Sequence, residues 1–212
     1  MSWFSSSRKW ILRSRLYNAA FFLIILLAGV IYSNLDIGRP DILIWFCNHT
    51  PLIFAIGLIL NNKDLVKGII SVGLLPQLFW IVDFLGKLVF DVYVFDVTRY
   101  LFEDFTGISL LGSILTHLFS TIFVLLLVYR YKTKKIALAY SAVYLVLLFG
   151  FSLFLTPPEE NINLIYRIEI WDITFPGYTT IWSLMSFILV VLPTHYFQVL
   201  LYKKKDTFLR KS

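Results

Sequence analysis

One thiol, one imidazole and one carboxylate stand out in this chain because each sits inside an apolar run. They are Cys47 in Trp45-Phe46-Cys47-Asn48-His49, His117 in Ile114-Leu115-Thr116-His117-Leu118, and Asp83 in Trp80-Ile81-Val82-Asp83-Phe84. Together they supply a nucleophile, a general base and a group that orients or charges the base. In that chemistry His117 takes the Cys47 proton, the thiolate attacks an ester carbonyl, and Asn48, Gln77 or Trp80 donates to the oxyanion. Taken singly, the same residues have plainer uses. A lone Cys on an apolar helix behaves as a small hydrophobe, and a His or Gln there can simply hold helices together. Asp83 is harder to explain that way. A carboxylate at the centre of a membrane helix costs roughly 2.5–3.5 kcal/mol on insertion scales, so a partner or a use is the default.

What must position these groups is a series of long apolar runs. Of 212 residues, 58% are hydrophobic and 15% charged, against roughly a quarter charged in soluble domains. Runs at 16–33, 42–60, 65–89, 110–129, 136–155 and 178–202 are each long enough to cross a bilayer. They predict an all-α polytopic membrane protein, a six-transmembrane-helix bundle forming one domain over residues 1–212. Arg8, Lys9, Arg13 and Arg15 precede the first run, which is long and lacks a small-x-small cleavage site, and it therefore reads as an uncleaved helix. Pro76 is expected to kink the third run beside Gln77. The link at 90–109, with Asp91-Val92-Tyr93-Val94-Phe95-Asp96, is too aromatic for a solvated linker and is expected at the membrane interface.

Charge orients the bundle. The N-terminal segment, the 61–68 link, the 130–135 link and the tail from Lys203 are net positive, and the other three links are net negative. Lys and Arg accumulate in cytoplasmic loops, so both termini are expected in the cytoplasm and the acidic links outside. From the helical rise, Cys47 then lies about 7–8 Å, Asp83 about 9 Å and His117 about 10 Å inside the outer face. His49, Gln77 and Trp80 fall somewhat deeper. The link carrying Glu159, Glu160, Asn161 and Asn163, followed by Arg167, Glu169 and Asp172, caps the same side. Ser113, His117 and Ser120 recur at helical spacing, as do Pro76, Trp80 and Asp83, and the two stripes are expected to face each other across an outward-facing polar pocket. In that pocket Cys47, His117 and Asp83 would be catalytic. Asn48, His49, Gln77, Trp80, Glu159, Glu160, Asn161 and Asn163 would bind substrate. His195, in Leu192-Pro193-Thr194-His195, lies near the cytoplasmic end and reads as interfacial.

The net charge of +6 would suggest nucleic acid in a soluble protein, but here the loops account for it, and no nucleic-acid partner is implied. No phosphate-binding glycine loop, Ser-x-x-Lys, His-Glu-x-x-His or paired-Cys motif is present. Two His and one Cys on separate helices lack local ligand spacing, so no metal or cofactor is implied. Asn48-His49-Thr50 matches a glycosylation sequon but lies within a span with Pro51 after it, and it is set aside. The partner expected is membrane lipid, with a second copy or another membrane subunit left open. The alternative to lipid chemistry is a non-enzymatic small-solute binding or transport protein with Asp83 as the pocket charge, or a subunit of a larger complex.

Leu75-Pro76-Gln77 with Trp80 and Asp83-Phe84, a His in the fourth helix, Pro158-Glu159-Glu160-Asn161-Ile162-Asn163 and Leu192-Pro193-Thr194-His195 resemble a family of uncharacterised bacterial six-helix membrane proteins. That resemblance implies a bacterial inner membrane and brings no activity with it. A Cys early in one helix and a His two helices later more distantly resembles the six-helix integral membrane acyltransferases that remodel ether phospholipids. In those proteins the Cys and His are the proposed catalytic pair, which here implies Cys47 and His117. A related group of lipid hydrolases uses Thr and His. Neither Asp83 nor Glu159-Glu160-Asn161 has a counterpart in that pattern.

Overall fold

The computed structural model describes residues 2–36, 38–103, 105–168 and 173–209, and Glu169 and Asp172 lie outside them. The chain is helical: α1 (Ser2–Asp36), α2 (Phe46–Ile59), α3 (Lys63–Phe90), the short α4 (Arg99–Glu103), α5 (Gly107–Val128), α6 (Ile136–Leu155), α7 (Tyr178–Ser186) and α8 (Leu192–Leu209). α7 passes into α8 through one π turn, Phe187–Val191. Pro193 lacks an N–H, and its ring would press on the carbonyl four residues back, so the wider turn just before it relieves both problems. α3, by contrast, runs through Pro76 without interruption.

Among the described residues, five segments are long and apolar enough to cross a membrane: Arg13–Asp36, Lys63–Phe90, Ser109–Val128, Ile136–Leu155 and Tyr178–Lys204. The chain is therefore a multi-pass helical membrane protein. The expected 42–60 span is the exception. Pro40 opens a 3-10 turn through Ile44, and Trp45 takes an extended conformation (φ −56°, ψ 132°). Only 14 residues of α-helix remain in α2, about 21 Å at the helical rise, short of the roughly 30 Å hydrocarbon core.

α3 is the hub, packing on α2, α5, α6 and α8, while α1 covers α2 and α5. Leu23, Phe54, Val66, Ile70 and Val124 are fully enclosed between them. Large apolar side chains such as Phe21, Leu126, Val146 and Phe154 stand on the outer faces, where lipid rather than water would meet them. α3 and α6 approach closely at Gly68. A Cβ there would lie 2.6 Å from the Ala137 carbonyl oxygen, and the Ser141 hydroxyl donates to the Gly68 carbonyl at 2.8 Å.

The links fall into two groups by their contacts. The 38–45 segment is tied to the α6–α7 link: Asn163 Oδ1 accepts from the Phe46 N–H (2.9 Å), its Nδ2 donates to the Ile44 carbonyl (3.0 Å), and Arg39 pairs with Glu160. Asp36, at the end of α1, meets Ser109 of α5. At the opposite ends of the helices, Asn62 donates to Tyr140 (3.0 Å) and Lys134 pairs with Asp64 (3.1 Å). Lys67, counted above as part of a link, is instead wholly buried within α3, its ammonium donating to Thr133 at 2.8 Å.

Candidate functional site

A cavity of about 930 Å³ opens where α1, α2, α3 and α5 meet the α3–α5 and α6–α7 links. Of the residues singled out from sequence, Cys47, Asn48, Gln77, Trp80, His117 and Glu160 line it. His49 does not. It borders a separate apolar groove of about 360 Å³, with Nδ1 on the Leu43 carbonyl (3.3 Å) and Nε2 facing the Tyr144 hydroxyl (2.7 Å). Both of its nitrogens are thus committed within the scaffold. Glu159 is exposed beside the cavity. Asn161 and Asn163 are buried and hold the link in shape. Asn161 Oδ1 accepts from the N–H groups of Tyr166 and Arg167, while Asn163 caps α2 as above and also donates to Ser152 (2.8 Å). Asn163 and Leu164 both adopt left-handed backbone, with φ of 58° and 57°. Asn accepts that region readily, whereas Leu is strained there by about 1–2 kcal/mol. Leu164, whose carbonyl takes the Tyr178 hydroxyl at 2.8 Å, is itself part of the cavity wall.

Asp83 is fully buried and lies outside the cavity lining. Its Oδ1 accepts from the backbone N–H groups of Phe95 (2.6 Å) and Asp96 (3.1 Å), and its Oδ2 from the Thr98 N–H (2.8 Å) and hydroxyl (2.7 Å). The carboxylate thus folds the α3–α5 link back onto α3. Left-handed Asp91 (φ 56°) and Asp96 (φ 58°) turn the chain. Gly86 admits it, since a Cβ there would come within 2.8 Å of the Val94 side chain. Trp80, Phe84, Leu101 and Phe105 then close a second apolar core beneath the link.

His117 is buried on α5, where its Nδ1 donates to the Ser113 carbonyl at 2.8 Å. A carbonyl can only accept, so the proton of the neutral ring sits on Nδ1 and Nε2 keeps the basic lone pair. The imidazole stacks on Trp80 (centroids 4.3 Å, 16°), which stacks in turn on Phe84 (5.2 Å, 11°). This three-ring pile fixes the plane of the base. The expected meeting of the α3 and α5 stripes therefore occurs through Trp80, whereas Asp83 is turned to its loop.

Sequence reasoning passed over Tyr100. It belongs to the link expected merely to lie at the interface, yet its hydroxyl accepts from Trp80 Nε1 at 3.1 Å and it lines the cavity with Ser113. Burial first, and the neighbouring Cys47 thiol second, push the Tyr100 phenol well above its ordinary value, so it stays protonated and neutral. Cys47 itself is buried, with Sγ 3.8 Å from Asn48 Oδ1. The Asn48 amide nitrogen is occupied by the Ile42 carbonyl at 2.8 Å. Of the three oxyanion donors considered from sequence, Asn48 and Trp80 are thus engaged, and Gln77 Nε2 has no partner. Among the described residues no three His, Cys, Asp or Glu side chains gather as a metal-ligand set.

No protein-family profile, no curated protein and no solved structure matches this chain.

Proposed function

We propose that this protein processes acyl groups of a membrane lipid through a Cys47 thiolate activated by His117. The observation that carries the reading is that Cys47 and His117 line one cavity within the helical bundle, with the histidine tautomer set so that Nε2 is the base. In the reaction Nε2 takes the Sγ proton and Sγ bonds to the ester carbonyl carbon. The carbonyl oxygen becomes an oxyanion that the free Gln77 N–H can meet. Collapse breaks the ester C–O bond, Nε2 returns its proton to the departing alkoxide, and an acyl thioester remains on Cys47. A second hydroxyl compound or water then gives a proton to Nε2 and attacks the thioester. The C–S bond breaks and the thiolate is reprotonated. Asp83 serves here as a positioning residue for the link that carries Tyr100. A transport role with Asp83 as counter-charge has little support, because the carboxylate is spent on four internal bonds.

Six crossings, with the basic loops cytoplasmic, fit this reading. What supports them is that α2 starts among links tied to Asn163 and Glu160 and ends beside those tied to Tyr140 and Lys134. The 3-10 turn adds to its reach.

The test is acylation of the purified full chain by p-nitrophenyl palmitate. Intact-mass spectrometry should show a hydroxylamine-labile acyl group on Cys47, absent in Cys47→Ala. Turnover in His117→Ala should fall about 10²–10⁴-fold, the range for losing a general base. A Cys47→Ala protein with undiminished turnover would remove the covalent mechanism.

A further inference from the structure

Two buried polar atoms in the cavity wall have no partner: Asn34 Oδ1 on α1 and Gln77 Nε2 on α3. The residues are 3% and 1% exposed, and a buried polar atom left unmet costs about 1–3 kcal/mol. Asn34 Nδ2 donates to the Val30 carbonyl at 2.8 Å, which fixes that amide with its oxygen as the acceptor. A ligand that satisfies both must bring a donor to Asn34 and an acceptor to Gln77. A hydroxyl, a glyceryl diol or an amide does this, and a bare hydrocarbon does not.

Charge narrows the class further. The wall carries one cation, Arg39, against three carboxylates, Asp96, Glu103 and Glu160. Arg39 is engaged by Glu160. Arg99, behind the wall, is taken by Asp96 (2.8 Å) and Glu103 (3.6 Å). Carboxylates remain in excess even with Arg99 counted, so an anionic phosphate entering here would be desolvated with no uncommitted cation to receive it. Much of the remaining lining, including Val30, Ile42, Trp45, Phe79, Val97 and Ile162, is apolar and suits a chain.

We infer that the cavity selects an electroneutral amphiphile, a single acyl chain with a hydroxyl- or amide-bearing head, held between Asn34 and Gln77, in preference to an anionic phospholipid. This rests on the acyl-processing reading for the identity of the site and names its substrate class.

Equilibrium binding of tritiated 1-oleoylglycerol to the full chain in maltoside micelles tests it, with 1-oleoyl lysophosphatidic acid as a competitor of the same chain length. Binding should saturate, and the anionic competitor should be at least tenfold weaker than unlabelled 1-oleoylglycerol. Asn34→Leu and Gln77→Met should each weaken binding tenfold or more while thermal stability holds or rises, since each removes an unmet polar atom. Equal competition by the two amphiphiles, or unchanged binding in both variants, would overturn the inference. So would loss of fold in both variants, which would assign the amides to the scaffold. Cys47→Ser should still bind 1-oleoylglycerol. If the acylation assay fails while the head-group preference persists, it is the chemistry that is wrong and not the ligand class.

Discussion

A carboxylate inside a membrane helix can be stabilised by a ligand that comes and goes or by donors built into the chain. Asp83 has four of the second kind, all from 95–98. This accounts for the charge without giving it substrate, and it makes the side chain a fold determinant for the link that presents Tyr100. Asn at this position keeps the size but replaces one accepting oxygen with an NH₂ facing N–H groups that already point inward. Bonds to a charged acceptor contribute about 1.5–3 kcal/mol each, and part of that loss is recovered by relaxation of the loop. Asp83→Asn should therefore destabilise the protein by about 2–3 kcal/mol in thermal or denaturant unfolding in detergent. Thr98→Val should add less in the Asp83→Asn background than alone, because the two share a bond. Full additivity of the two substitutions would show that the Asp83–Thr98 contact is not made. The sequence exposed Asp83 as a residue in need of partners, but those partners are mostly backbone N–H groups, and backbone donors have no signature in residue type.

At the scale of elements, legibility followed length and continuity. α6 spans 136–155 as read from hydropathy, and α3 differs by two residues at its start and one at its end. The α-helix of α2 begins later than the 42–60 run suggests, because an apolar run does not reveal where a helix must begin. Its start is fixed by the Pro40 turn and by Asn163, 117 residues away in sequence. The residue types in Pro158-Glu159-Glu160-Asn161-Ile162-Asn163 suggest substrate binding, whereas Asn161 and Asn163 are spent on loop and cap. Helix contacts were equally silent in the sequence. A glycine in an apolar run is common in membrane helices, and nothing local marks Gly68 as the point where α3 meets α6. There an added side chain collides with backbone at Ala137, which cannot rotate away. Gly68→Val should force α3 and α6 apart at a cost of about 1–3 kcal/mol, read as a lowered unfolding midpoint. Gly150→Val on α6 meets nothing within 4 Å and should be close to neutral. Equal effects at the two positions would argue against the close approach.

The whole molecule is arranged so that one end of the bundle collects acidic links around a cavity and the other collects basic ones. Anionic lipid and the positive-inside bias favour the basic end in the cytoplasm. α2, with 14 residues of α-helix, is the element that distinguishes a sixth crossing from a helix that dips in and returns. Its two ends have different partners, Asn163 at the first and the Tyr140 side at the second, and a returning helix would need both on one face. The single native cysteine makes the distinction measurable. In a Cys47→Ser background, Arg39→Cys, in the link before α2, should react with a membrane-impermeant maleimide added outside sealed cells. Lys132→Cys should react only after the membrane is opened, and Lys63→Cys, directly after α2, should behave like Lys132→Cys. If Lys63→Cys labels from outside with Arg39→Cys, α2 returns to its own side. The charge pattern would then be broken too, because α3 would carry its acidic link inward and α5 its Arg130–Lys135 cluster outward. Agreement of the three sites would place the mouth of the cavity, with Arg39 and Glu160, at the outer leaflet, from which a single-chain amphiphile could enter between the α1–α2 and α6–α7 links.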